Sequence, residues 1–182
     1  RNGVIELVAT ETVNLGPGAR LSAQGDAAGP SDGGTIRIKS DGSFHDASSA
    51  VVSVAGGTSG GNGGWVEVSA PVLPAIHSHV LGTAGPGGQG GRLVIDPQDI
   101  TLGNSGTGSA PGGSVDAGSP PATGALTLDV NTAFVGFSEI DLQATRNLTL
   151  AAGVTWDLGA STGLGDVPGR LRLEAGNNLT IA

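Results

Sequence analysis

One short pattern, glycine followed by two aliphatic residues with a single residue before and between them, recurs along the whole chain. It begins at Gly3 (GVIEL), Gly34 (GTIRI), Gly64 (GWVEV), Gly91 (GRLVI), Gly124 (GALTL) and Gly169 (GRLRL), at spacings of 31, 30, 27, 33 and 45 residues. The longest interval holds another run, Ile140-Asp141-Leu142, which lies 31 residues before Leu171-Arg172-Leu173. Longer copies sharpen the repeat. IDLQATRNLTLA from Ile140 matches LRLEAGNNLTIA from Leu171 at an offset of 31, and IELVATETVNLGPG from Ile5 matches IDLQATRNLTLAAG from Ile140 at an offset of 135. A unit of this size is too thin to bury its own apolar face and must stack on its neighbours. The chain is constrained to a solenoid.

Within a unit the apolar residues alternate with polar ones over three to five positions, and Gly, Pro, Asn and Asp separate the runs. Alternation is the signal of a half-buried strand, and the separators are turn residues. The first unit reads as strands Val4–Val8, Thr12–Leu15 and Arg20–Ala23, followed by a Gly-rich excursion at 25–34. The second reads as Thr35–Lys39, Ser43–Asp46 and Val51–Val54, followed by 56–64. No helical period survives in any window. The expected fold is an all-β parallel β-helix with three short strands per coil of roughly 30 residues and Gly-rich corner loops. It forms one continuous segment over residues 1–182, in six or seven coils.

Ile5, Leu7, Ile36, Ile38, Val66, Val68, Leu93, Ile95, Leu126, Leu128, Ile140, Leu142, Leu171 and Leu173 should form the buried stacks, and Trp156, aligned with Leu21, should join the core. The residues between each aliphatic pair should face outward in a column Glu6, Arg37, Glu67, Val94, Thr127, Asp141, Arg172, with Glu139 and Arg170 two positions earlier. Opposite charges ~4.8 Å apart favour the correct register, although each exposed pair is worth under ~1 kcal/mol. Residues 70–82 lose strict alternation, and Pro71 and Pro74 exclude a central strand there. Residues 103–123 read as a low-complexity surface loop extruded from one coil.

Composition narrows the functional classes. The 182 residues include 34 glycines and no cysteine, and 8 basic against 16 acidic side chains give a formal charge of −8. Disulfide staples and thiolate metal sites need cysteine. The acidic field repels phosphate, so no nucleic-acid partner is expected. No apolar run reaches the length of a membrane-spanning helix. The first residue, Arg1, suggests a processed product or an excerpt.

GGTIRIKSDGSF (33–44), GGTSGGNGGWVEVSA (56–70) and GGRLVIDPQDITL (90–102) occur in that order. This stretch closely resembles the filamentous-haemagglutinin-like exoproteins of the two-partner secretion pathway, in which a Gly-rich segment enters an aromatic-V-E-V-S strand and an aliphatic strand ending in I-D-P follows. NLTLAAG and NLTIA look like that family's general strand repeats. The resemblance implies a large right-handed parallel β-helix secreted to, or displayed on, the surface of a Gram-negative bacterium after export through an outer-membrane transporter pore. It implies an adhesin, a cytolysin or the passive stalk of a contact-dependent toxin. The family's Asn-Pro-Asn export motifs are absent from the sequence. The chain stops at the second strand of a coil, which suggests a window on a longer rod or a unit that associates end to end with itself or with neighbouring repeats. A host or cell-surface glycan or protein is the expected outside partner.

Several single residues stand out on this frame. Trp65 falls in an outward register, where an indole can stack on a sugar or a partner, or lie roofed by a Gly-rich loop. Asn147-Leu148-Thr149 and Asn178-Leu179-Thr180 are glycosylation sequons. Calcium has a weak foothold near Asp96 and Asp99, since GGNGGW and GGQGGR lack the aspartate of the nine-residue calcium repeat. No other cofactor is expected. The GxGxxG of 85–90 precedes a strand rather than a helix, so its glycines, like those of 60–64, read as corners with positive φ. His45, His77 and His79 are too few for zinc. A carbohydrate-active β-helix enzyme is the alternative, but it needs clustered carboxylates in a groove, whereas the acids here are single or alternate with Arg. No catalytic residue is assigned. An ice-binding face would need Thr-x-Thr ladders, and only Thr10-Glu11-Thr12 supplies the motif.

Overall fold

A computed structural model describes residues 3–104, 126–159 and 169–182. The first coil carries β1 (Val4–Ala9), β2 (Thr12–Leu15) and β3 (Arg20–Ser22); the second carries β4 (Thr35–Ser40), β5 (Ser43–Asp46) and β6 (Val51–Ser53). The third has β7 (Trp65–Ser69) and β8 (His79–Leu81), and the fourth has β9 (Gly91–Asp96) and β10 (Asp99–Gly103). After β11 (Leu126–Asp129) come β12 (Phe137–Ala144) and β13 (Asn147–Leu150), then β14 (Arg170–Ala175) and β15 (Asn178–Ile181). Every strand-to-strand ladder is parallel. The chain is a β-solenoid of about 5 turns of roughly 31 residues.

The longest sheet stacks β1-β4-β7-β9-β12-β14, one strand per coil. Its register places Ile5, Ile36, Val66, Leu93, Ile140 and Leu171 in one column and Leu7, Ile38, Val68, Ile95, Leu142 and Leu173 in the next. The middle members of both columns are buried, while Ile5, Leu7, Leu171 and Leu173 in the end coils are only partly covered. A second face stacks β11-β10-β13-β15, with β2-β5 below it, and a third stacks β3-β6-β8. Together these inward columns close a core that also holds Phe44, Leu73, Ile76, Ile100, Leu102, Phe134 and Phe137.

Three expectations change. The repeat at Gly124 does not open a coil. Its strand, β11, pairs with β10 through Ile100↔Leu126 and Leu102↔Leu128, on the side away from β13. Leu126 and Leu128 are buried as expected, but in the second face. Thr127 therefore leaves the charge column and joins Thr101, Thr149 and Thr180 in a threonine column, one per layer, which a search for Thr-x-Thr within single strands does not find. Within 70–82, residues 70–78 form no strand, in keeping with Pro71 and Pro74, and bridge to the coil below through Val72 and Ser43, but His79–Leu81 form β8 on β6, against the expectation for that part of the stretch. Trp156 is only partly buried, against the core and stacked on Phe134 with ring centroids 5.2 Å apart. Of the 103–123 loop only Gly103 and Asn104 are described; Asn104 donates its side-chain amide to the Gly153 carbonyl.

The glycines also divide differently from expectation. Gly18 and Gly153, equivalent in the 135-residue offset, do turn corners with φ of 75° and 74°, and Gly60, Gly61 and Gly87 have positive φ as well. Gly63, Gly64, Gly90 and Gly91 do not. Gly63, Gly64 and Gly91 serve close approach. A methyl group on Gly34 would run into the carbonyl of Gly3, one on Gly64 into that of Gly34, and one on Gly91 into that of Gly64.

Candidate functional site

Three successive coils enter the long sheet through the same kind of segment: Asp32-Gly33-Gly34-Thr35, Asn62-Gly63-Gly64-Trp65 and Gln89-Gly90-Gly91-Arg92. The register Thr35↔Trp65↔Arg92 stacks them directly. The flanking side chains of the three segments border an open channel whose floor is the backbone of the paired glycines. It runs along the rod and is closed at one end by Ser138 and Glu139 of β12. Its volume is about 400 Å³.

One wall is a side-chain ladder. Asp32 Oδ1 accepts from the Asn62 backbone N–H at 2.7 Å, and Asn62 Oδ1 accepts from that of Gln89 at 2.9 Å. The other wall is Trp65 and Arg92. The expected outward position of Trp65 holds, yet its ring is half-buried, and what covers it is charged. The Arg37 guanidinium lies 4.4 Å from the ring centroid and that of Arg92 lies 5.6 Å away, from the coils below and above. Such contacts are worth roughly 0.5–2 kcal/mol each. The indole N–H is buried without an acceptor in the described chain.

Beside the groove runs the charge column. Arg37 meets Glu6 at 3.3 Å and Glu67 at 3.5 Å, and Lys39 meets Glu67 at 3.7 Å. Farther up, Asp141 takes Arg92 at 3.0 Å and Arg172 at 3.2 Å, and Arg170 approaches Glu139 at 4.0 Å. Asp141 is 4% exposed. Burial pushes its carboxyl up, but hydrogen bonds from Gln143, Arg92 and Arg172 outweigh that and hold it below the usual carboxylate value.

The other predicted positions lie apart from the groove. Asp99 binds the Arg146 guanidinium and accepts from Asn147 Nδ2 at 2.9 Å; Asn147 Oδ1 in turn accepts from Asn178 Nδ2 at 3.0 Å. Both sequon amides thus belong to one ladder. The Arg146 ion pair holds the Asp99 carboxyl below its ordinary value. Asp96 accepts instead from Ser69 Oγ at 3.2 Å. Among the described residues no three histidine or acidic side chains converge as metal ligands. His77 packs its Nδ1 3.4 Å from Asp46, whose carboxylate also caps the backbone N–H groups of His77 and Ser78. His79 stands next to Val51, and His45 next to Asn14.

Asp96 and Asp141 respond to pH with opposite signs. Burial raises the Asp96 carboxyl above its ordinary value near 3.8, so its folded form binds a proton that the unfolded chain has released, and stability falls as pH rises through that interval. Asp96→Asn should therefore raise the melting temperature at pH 7, with the gain shrinking as pH falls toward ~4 and absent below it. Asp141 is lowered, so its contribution is full above ~3.9 and is lost as pH falls below that. Asp141→Asn should lower the melting temperature at pH 7 and flatten the acid limb. Parallel melts from pH 2 to 7 check both signs.

No family model, curated protein or solved structure matches the chain. The site rests on its own geometry. Its three Asp/Asn/Gln-Gly-Gly segments are visible in the sequence once the register Thr35, Trp65, Arg92 is set. Read singly, each passes for a turn.

Proposed function

We propose that the chain is a rigid segment of an extracellular adhesive fibre of the filamentous-haemagglutinin-like kind, exported through an outer-membrane pore and held at the surface of a Gram-negative bacterium. One observation supports the reading above the others. The outward face of the long sheet is devoted to bonding between coils: from Glu6 through Arg37 and Glu67, and from Arg92 through Asp141 to Arg172, charged side chains reach the coil above or below. Stacked backbone bonds, aliphatic columns and these outward pairs give a stiff element, and the corner loops meet the surroundings. The mechanism is mechanical display.

Antibody to this chain, applied to intact producing cells and to their medium, tests the location, and cell-adhesion counts with and without the antibody test the role. Surface or medium staining with reduced adhesion is the expected result. Antigen confined to the cytoplasm, or cleavage of a polysaccharide by the purified chain, would overturn the reading, the second in favour of the carbohydrate-active enzyme.

A further inference from the structure

The geometry points to a binding site for a linear, uncharged polysaccharide in the axial groove, laid parallel to the rod with about one sugar unit per coil. This deepens the adhesive reading and rests on it for its biological sense. The class of ligand follows from which groups the groove leaves free.

Most backbone donors of its floor are already used inside the rod. The N–H groups of Gly33 and Gly63 bond to the Asn62 and Gln89 carbonyls, those of Gly34, Gly64 and Gly91 bond to Ala23, Val54 and Gly82, and those of Trp65 and Arg92 bond to Gly34 and Gly64. An extended peptide added as a strand needs such donors, and here they are spent inside the rod. What remains is side-chain chemistry. Asn62 uses its Oδ1 on the Gln89 N–H, which fixes the side chain, and among the described residues neither its Nδ2 nor the Gln89 side-chain amide has a partner. Asp32 likewise keeps its second oxygen. Donors and acceptors alternate along one wall at the coil spacing of ~4.8 Å, close to the length of one sugar ring, and the ladder holds them in place before any ligand arrives. Arg92 on the far wall is matched to Asp141 and Glu139 is approached by Arg170, so that among the described residues Asp32 is the groove charge without an ion-pair partner. That charge disfavours uronate or sulfated chains.

Neutral glucans (cello-, laminari- and malto-oligosaccharides, dimer to hexamer), an oligogalacturonate and an extended decapeptide serve as probes, titrated into the 182-residue chain by calorimetry. Trp65 fluorescence in a Trp156→Phe background gives a second readout. At least one neutral series should bind saturably, with affinity rising up to about the trimer and then levelling off. Asn62→Asp keeps the acceptor that holds Gln89 and removes the free donor; Gln89→Ala removes an unbonded amide. Each should weaken binding about tenfold while the melting curve stays near that of the parent. Failure of every neutral oligomer to bind the folded chain would overturn the site, as would equal affinity in both variants. Tighter binding of the galacturonate or the peptide would overturn the ligand class. These outcomes are separable from failure of the fibre reading: cells that still adhere through a chain carrying Asn62→Asp and Gln89→Ala would remove the groove and leave the fibre, whereas a cytoplasmic antigen that binds glucans would do the reverse.

Discussion

Gly64→Ala is expected to remove more than ~4 kcal/mol of stability, placing it among the most damaging single substitutions in the chain. The added methyl group has nowhere to go: it meets the Gly34 carbonyl oxygen and the Gly33 backbone. Neither neighbour can turn aside, because both are main chain held in the coil-to-coil ladder. Relief requires the coil spacing to open there, which stretches the bonds of β4 to β7 on the same layer. For a domain whose whole margin is about 5–15 kcal/mol, that is a large share of it. The contrast is Gly18→Ala or Gly153→Ala, each at positive φ with open space around it, where only the conformational penalty of about 1–2 kcal/mol applies. Urea denaturation followed by tryptophan fluorescence distinguishes the two classes. A Gly64→Ala protein within ~1 kcal/mol of the parent would show that the coils are not packed backbone to backbone.

Phe134→Ala should cost ~3–5 kcal/mol, the usual range for deleting a buried aromatic ring. Phe134 is 0% exposed and lies in the turns after β11, beyond the last strand of the β3-β6-β8 face. Its neighbours Gly136 and Phe137 lie against Thr83 and Gly82 at the end of β8, so this segment closes the core where that sheet stops. The ring also stacks on Trp156 at an interplanar angle of 18°. Loss of the ring should therefore shift part of the tryptophan emission to the red in the native state, and Phe134→Leu should recover most of the stability. An unchanged denaturation midpoint for the alanine variant would mean that the turns merely rest on the rod.

The repeat made much of this architecture legible because its period carries the register. Strand bounds such as Thr12–Leu15 and Ser43–Asp46 agree, and the others of the first two coils lie within one residue of their expected positions. The pairs Ile5↔Ile36 and Ile140↔Leu171 follow directly from offsets of 31. The misplacement of Leu126-Thr127-Leu128 has a simple cause. A glycine before alternating aliphatics marks a strand entering a core, and nothing in that pattern says which of three faces the strand belongs to. A better guide was present: DITL, NLTL and NLTI, at 99, 147 and 178, share the form of ALTL at 125–128. The groove was less legible for another reason. Its walls come from polar residues that look like ordinary turn residues in any one coil, and only the stacking sets Asp32, Asn62 and Gln89 in a row. The coverage of Trp65 by Arg37 depends on a diagonal contact between coils that no single-strand pattern encodes.

The last two full layers have a consequence for how such a gene can change. Asn147, Leu148 and Thr149 lie directly beneath Asn178, Leu179 and Thr180, and Asp141 lies beneath Arg172. An in-frame duplication of one such unit would give a newcomer that meets, above and below, nearly the same side chains its parent met. No new interface has to be invented, and no existing one is broken. Recombination between neighbouring copies can then lengthen or shorten the molecule in whole steps of ~4.8 Å, making reach a heritable quantity that varies without a change of fold.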